Sequence, residues 1–185
     1  MTKEEIGNRY SVRRLEVGES VTTFNCGDED LNDFILNEAP IYSDAFLAVT
    51  YIIEDKQTKE VVAFFSLAND RVSLSDFESA TEFNRFRRKR FVNEKRLKSY
   101  PAVKVCRLGV SESAKGLSLG SRVLNLVKWM YLSNNRAGCR FVTVDAYRNA
   151  VPFYEKNRFS LLLREMPDAD ITVPMYFDLK DLDEG

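Results

Sequence analysis

The sequence predicts an α/β fold in which a mixed, mostly antiparallel central sheet of about 6–7 strands is flanked by helices. Three observations predict it. Strand-sized runs rich in β-branched and aromatic residues recur along the chain, separated by polar or helix-period segments. Two of them, 45–53 and 61–67, flank the polar stretch Glu54-Asp55-Lys56-Gln57-Thr58-Lys59-Glu60, short enough for an antiparallel hairpin. A third, 102–110, enters a turn of small residues and then a helix, with a further strand at 141–146; strands joined this way lie parallel through a right-handed crossover.

Taken in order, residues 10–17 read as the first strand. Gly27-Asp28-Glu29-Asp30 breaks the chain ahead of Leu31, Phe34, Ile35 and Ala39, whose spacing gives one apolar helical face. After the hairpin, residues 75–98 carry few strand signals and mix Phe77, Phe83, Phe86 and Phe91 with charge, which reads as mostly helical and ended by Tyr100-Pro101. The spacing predicts a helix over 120–134, because Val123, Leu126, Val127, Met130 and Tyr131 recur on one face and leave Arg122, Asn125 and Lys128 outside. A buried strand at 141–146, a short helix at 150–156 and a closing strand pair at 159–164 and 171–179 complete the chain, without internal repeats.

A length of 185 residues, with 44% hydrophobic and 30% charged residues, suits one folded domain spanning 1–185. The longest apolar runs, such as 46–53, fall short of a membrane span, and Met1-Thr2-Lys3-Glu4-Glu5 has no signal-peptide core. Cys26, Cys106 and Cys139 form no CxxC pair, as expected of reduced thiols in a cytoplasmic protein. Histidine is absent, which excludes Ser-His-Asp and Cys-His chemistry and most zinc catalysis, so no metal is expected. The net charge of −1 conceals a basic block, Arg85, Arg87, Arg88, Lys89, Arg90, Lys95, Arg96 and Lys98, offset by an acidic tail from Glu165 onward. Such a block is either a solvated face or a footprint for a polyanion.

The turn between the strand at 102–110 and the next helix, Ser111-Glu112-Ser113-Ala114-Lys115-Gly116-Leu117-Ser118-Leu119-Gly120-Ser121, has the makings of an anion site. Small residues allow close backbone approach, the first amides of the helix point outward, and the helix dipole favours negative charge. Lys115 adds a formal positive charge. Taken alone, the same residues also make a plain strand-to-helix connection.

Four segments resemble the GNAT superfamily of acyl-CoA-dependent N-acetyltransferases over nearly the whole chain. Arg107-Leu108-Gly109-Val110 resembles its central strand, the turn from Lys115 to Gly120 its Gln/Arg-x-x-Gly-x-Gly/Ala loop, and Pro152-Phe153-Tyr154-Glu155-Lys156-Asn157-Arg158-Phe159 its Phe-Tyr-x-x-x-Gly-Phe segment. Phe24-Asn25-Cys26-Gly27 followed by Leu31-Asn32-Asp33-Phe34-Ile35 resembles the opening of a subgroup that includes toxins acetylating aminoacyl-tRNA. The resemblance implies a GNAT-like sheet with central strands splayed at 102–110 and 141–147, and acetyl-CoA as co-substrate. It places the pantetheine arm along Leu108, Gly109 and Val110 and the pyrophosphate on Lys115, Gly116, Leu117, Ser118, Leu119, Gly120 and Ser121. Tyr154 is the implied general acid for the leaving sulfur, with a core aromatic as its alternative, and Asn149 either caps the following helix or touches the pantetheine. The pattern departs at Lys115 in place of Gln or Arg, at Ser118 in place of the first loop glycine, and at Arg158 in place of the glycine before Phe159. If position 118 needs a positive φ or close phosphate approach, the serine Cβ costs affinity.

The implied reaction is direct attack of a primary amine on the acetyl carbonyl, with strand amides stabilising the oxyanion. A general base is not singled out among Glu54, Glu60, Glu78 and Glu112, and Cys106 reads as a buried structural thiol. Tyr51, Phe64, Phe65, Tyr100 and Tyr147 are candidate pocket residues. The acceptor is a small-molecule, protein or tRNA-linked amine. The alternatives are a toxin-like enzyme acting on aminoacyl-tRNA, with RNA contact through residues 85–98, and a non-catalytic acyl-CoA-binding protein. A homodimer and a partner antitoxin are among the open partner expectations.

Overall fold

The computed structural model describes residues 9–92, 96–132, 137–163 and 171–182. Met1 to Glu5, Lys95 of the basic block, the expected helix end at Asn134, the strand end at Arg164 and much of the acidic tail lie outside the described residues. The strands are β1 (Tyr10–Arg14), β2 (Val49–Asp55), β3 (Val61–Ser73), β4 (Ser99–Val110), β5 (Phe141–Tyr147), β6 (Ser160–Leu161) and β7 (Thr172–Asp178). The helices are α1 (Glu29–Asp33), α2 (Ala39–Asp44), α3 (Ala80–Arg88), α4 (Leu119–Leu132) and α5 (Val151–Lys156). The seven strands form one sheet in the order β1-β2-β3-β4-β5-β7-β6. β4 and β5 pair parallel from Ala102 opposite Phe141 to Lys104 opposite Thr143, beyond which β4 runs on to Val110 and β5 to Tyr147. The β1–β2, β2–β3, β5–β7 and β6–β7 pairs are antiparallel, so the sheet is mixed and mostly antiparallel, as expected. Among the described residues no helix is long and apolar enough to cross a membrane.

Two compact units divide the chain: Met1–Ala68 with Val105–Leu126, and Asn69–Lys104 with Val127–Gly185. In the first, Phe34, Ile35 and Ala39 from the helical segment close over Leu15, Ile52 and Phe64 of the sheet side. That segment is not one continuous helix. Asp28 caps α1 by accepting from the Leu31 amide at 3.0 Å, and a π-helical turn over Phe34–Glu38 then joins α1 to α2. The wide turn places Pro40 in the first turn of α2, where its missing N–H leaves no bond unmade. The β2–β3 hairpin forms because the Asp55 carboxylate accepts the Gln57 amide at 2.9 Å and Lys59 adopts the left-handed φ of 64°.

In the second unit, Phe83, Phe86, Tyr100, Phe141 and Tyr176 make an aromatic core around Val72 and Ala102. The mostly helical reading of 75–98 is corrected: α3 occupies only Ala80–Arg88, preceded by a 3₁₀ turn at Leu74–Asp76. Tyr100-Pro101 belongs to β4 rather than ending a helix, because Tyr100 stacks on Phe91 at 4.0 Å and the Pro101 carbonyl accepts the Arg140 amide at 2.8 Å. Much of the basic block is also built in. Arg87 donates to the Arg96 and Leu97 carbonyls at 3.2 and 3.1 Å, and Arg90 lies over the Phe86 ring at 4.2 Å and pairs with Asp178 at 3.4 Å. Arg85, Arg88, Lys89 and Lys98 are exposed.

The helix after the turn begins at Leu119, and its buried stripe is Val123, Leu124, Val127 and Lys128. Lys128, expected outside, is therefore inside at 2% exposure. Its Nζ donates to the Asn157 carbonyl at 2.6 Å and sits 3.8 Å from the Phe177 ring centre, partners that periodicity alone does not reveal.

Candidate coenzyme site and the Tyr154 helix

The turn that follows β4 is held from below by the N-terminal motif of the same unit. Glu112 donates its amide to the Asn25 carbonyl at 2.9 Å, and Ser111 donates to the Val62 carbonyl at 2.9 Å. Asn25 and Asn32 brace that motif: Asn25 Oδ1 accepts the Gly27 amide at 2.9 Å, and Asn32 Oδ1 accepts the Cys26 amide at 2.9 Å. Gly27 has φ +82°, and a Cβ there would lie 2.9 Å from Glu112 Oε1. The structure thus brings together two segments that the sequence presents far apart, and Asn25, Gly27 and Asn32 are supporting residues not singled out individually.

On this base the turn exposes Lys115, Gly116, Leu117 and Ser118, while Leu119 is buried at 3% and anchors the start of α4. The first helical bond runs from the Arg122 amide to the Ser118 carbonyl at 3.2 Å. The amides of Leu119, Gly120 and Ser121 precede it and have no acceptor within the helix, which is the arrangement that receives an anion. Gly116 has φ +84° with open space where a Cβ would stand. Ser118 has φ +55°, the left-handed region, so the condition that makes its Cβ unfavourable is met. Lys115 Nζ pairs with Glu112 at 3.0 Å; both side chains are more than half exposed, so the pair is weak and Lys115 is available to a competing anion.

Leu108 and Val110 are half-buried at the end of β4, and Gly109 between them is buried. The missing side chain at Gly109 has a packing reason: a Cβ there would lie 2.5 Å from Phe64 Cε1. Phe64 and Phe65 are fully buried and Tyr51 stacks on Phe65 at 5.0 Å. Phe64 and Phe65 are therefore core, not pocket, residues, and buried Tyr100 joins them in that correction; Tyr147 is exposed. Cys106 is half-buried rather than buried. Of the carboxylates considered as bases, Glu54 is paired to Arg13 at 3.0 Å and Glu112 to Lys115.

In the second unit, Tyr154 lies on α5 at 7% exposure, its ring edge-on to Phe153 at 5.1 Å and to Phe159 at 5.5 Å. Burial alone pushes its hydroxyl pKa up to about 12, so it stays protonated at neutral pH. α5 ends in a paired-bond left-handed cap: Phe159 donates to the Tyr154 carbonyl at 3.0 Å and Arg158 to the Glu155 carbonyl at 2.8 Å, with Arg158 at φ 66°. Glycine is the usual residue at that position, and a side chain there costs roughly 1 kcal/mol. Arg158→Gly is accordingly expected to raise the melting temperature by about 2–4 °C, less whatever the 3.3 Å bond from Arg158 to the Asp181 carbonyl supplies; a thermal melt reads it. Asn149 is exposed in a 3₁₀ turn, and the N-cap of α5 is Ala150 without a side-chain bond. The expected capping role of Asn149 is thus corrected: Pro152 in the first turn has no N–H that needs an acceptor, and it presets the helical φ.

No protein family profile and no curated protein sequence matches the chain. Solved structures do. A tyrosine-to-phenylalanine mutant of KacT matches with a TM-score of 0.73 at 16% identity, over 96% of this chain and 99% of that one. AtaT complexed with acetyl-methionyl-tRNAfMet matches with a TM-score of 0.70 at 18% identity, over 95% and 98%. AtaTR bound with acetyl-CoA matches with a TM-score of 0.68 at 18% identity, over 96% and 98%. The fold is that of the GNAT acetyltransferases. More narrowly, it is the form of that fold found in KacT and AtaT.

Proposed function

We propose that the chain, with residues 1–185 acting as one domain, is an N-acetyltransferase that moves an acetyl group from acetyl-CoA to a primary amine. The observation that carries this reading is the braced turn from Lys115 to Ser121, with its outward helix-start amides, in a fold shared with a protein solved with acetyl-CoA bound. Leu108, Gly109 and Val110 are assigned to the pantetheine arm through their backbone, and Lys115 to Ser121 to the pyrophosphate. Asn149, exposed ahead of α5, is kept as a pantetheine contact.

In the proposed reaction the amine nitrogen forms a bond to the acetyl carbon, the developing oxyanion is held by backbone amides, and the carbon–sulfur bond breaks. The departing sulfur takes the proton of the Tyr154 hydroxyl, and the proton lost by the amine passes to water and returns to the tyrosine. Transfer from labelled acetyl-CoA to a panel of free amino acids, polyamines, peptides and aminoacylated tRNA tests the reading; label on no member contradicts it. Ser118→Gly, which removes the Cβ that would limit close approach of the phosphate, is expected to tighten acetyl-CoA binding by about threefold or more, measured by calorimetry.

A second reading names the acceptor as aminoacyl-tRNA. It is favoured by the likeness to AtaT, solved with acetyl-methionyl-tRNAfMet, and by exposed Arg85 and Lys89 on an open groove of about 320 Å³ beside α3. Label appearing on aminoacylated tRNA alone within the panel supports it.

A further inference from the structure

Lys128 lies in the second unit with nothing in the proposed chemistry to use it, yet it is the most deeply buried charged side chain of α4. Burying an ammonium group is strongly unfavourable unless its surroundings compensate, and an aliphatic side chain would fill the same space without that penalty. The compensation is specific. Nζ donates to the carbonyl of Asn157 at 2.6 Å and lies over two aromatic rings, Phe177 at 3.8 Å and Phe159 at 5.1 Å. Burial, reinforced by the nearby Arg158 charge, lowers its pKa to about 8.

Asn157 is the C-cap of α5, a helix of six residues and too short to hold its own geometry. From inside, the end of α5 is closed by the Asn157 amide on the Phe153 and Tyr154 carbonyls at 3.2 and 3.0 Å, and by Asn157 Nδ2 on the Phe153 carbonyl at 2.8 Å. From outside, Lys128 holds the remaining carbonyl of the same residue, and it also seats on Phe159, whose ring is edge-on to Tyr154. We propose that Lys128 is a positioning residue for Tyr154: it ties the end of α5 to α4 and so fixes the direction of the Tyr154 ring and hydroxyl. The catalytic consequence rests on the reading of Tyr154 as the acid.

The test uses the full chain labelled with fluorotyrosine, with the Tyr154 resonance identified by its loss in Tyr154→Phe. Lys128→Met is expected to shift or broaden the Tyr154 resonance while leaving that of Tyr10 in place. On the acceptor found in the labelled panel, it is expected to lower kcat by about tenfold or more, with KM for acetyl-CoA within about twofold. Should the methionine variant not fold, Lys128→Gln carries the same expectations, because its amide is one bond shorter and falls short of the Asn157 carbonyl. An unmoved Tyr154 resonance in the folded variant overturns the proposal. A moved resonance together with a wild-type rate for Tyr154→Phe leaves the positioning contact standing and removes the acid assignment instead.

Discussion

Tyr154→Phe is expected to lower kcat for acetyl transfer by about tenfold or more while leaving KM for acetyl-CoA within about threefold. The substitution removes a single hydroxyl. The ring keeps its edge-on contacts with Phe153 and Phe159, so α5 and its cap stay in place and the loss falls on the chemistry. With its pKa raised to about 12 by burial, the hydroxyl keeps its proton at neutral pH, as the proposed acid must before the carbon–sulfur bond breaks. Steady-state kinetics beside a thermal melt separate the two outcomes. A rate equal to that of the wild type makes Tyr154 a core aromatic and nothing more.

The second large effect is on folding. Gly109→Ala is expected to destabilise the protein by about 3 kcal/mol or more, through overpacking of a closed core. The added Cβ would stand 2.5 Å from Phe64 Cε1, and Phe64 has nowhere to retreat: it is fully buried, edge-on to Phe24 at 5.2 Å and stacked on Phe34 at 6.0 Å. A fall in melting temperature of about 6–12 °C follows for a chain of this size, or no folded protein at all. A melt within about 2 °C of the wild type would mean that the close contact at Gly109 is not as described.

Where local pattern and tertiary packing agree, the sequence was legible. The hairpin of β2 and β3, the helix α4 and the strand β5 follow from alternation, helical period and turn chemistry; α4 and β5 lie within a few residues of their expected places, whereas β2 begins at Val49 rather than at 45 and β3 runs on to Ser73 rather than ending at 67. Residues 75–98 were not legible, because Phe77, Phe83, Phe86 and Phe91 serve one aromatic core from a loop, a helix and the segment after it, and no single period describes them. Lys128 reads as a surface residue by period, since a carbonyl and two rings far along the chain are what make its burial tolerable.

The candidate site divides in the same way. The turn after β4 was visible as small residues before a helix, and the resemblance marked Ser118 in that turn and Arg158 after α5 as standing at glycine positions; both hold left-handed backbone while carrying side chains. Gly109 invited a ligand explanation that packing against Phe64 supplies equally well. The bracing of the turn by Asn25, Gly27 and Asn32 needed the fold, because those residues are far from Glu112 in sequence.

Titration of the 185-residue chain with acetyl-CoA in a calorimeter, paired with a thermal melt, tests most directly the claim that the braced turn is a coenzyme site. The account predicts saturable heat at one site per chain and a melting temperature that rises with ligand concentration. Absence of both heat and thermal shift would contradict it.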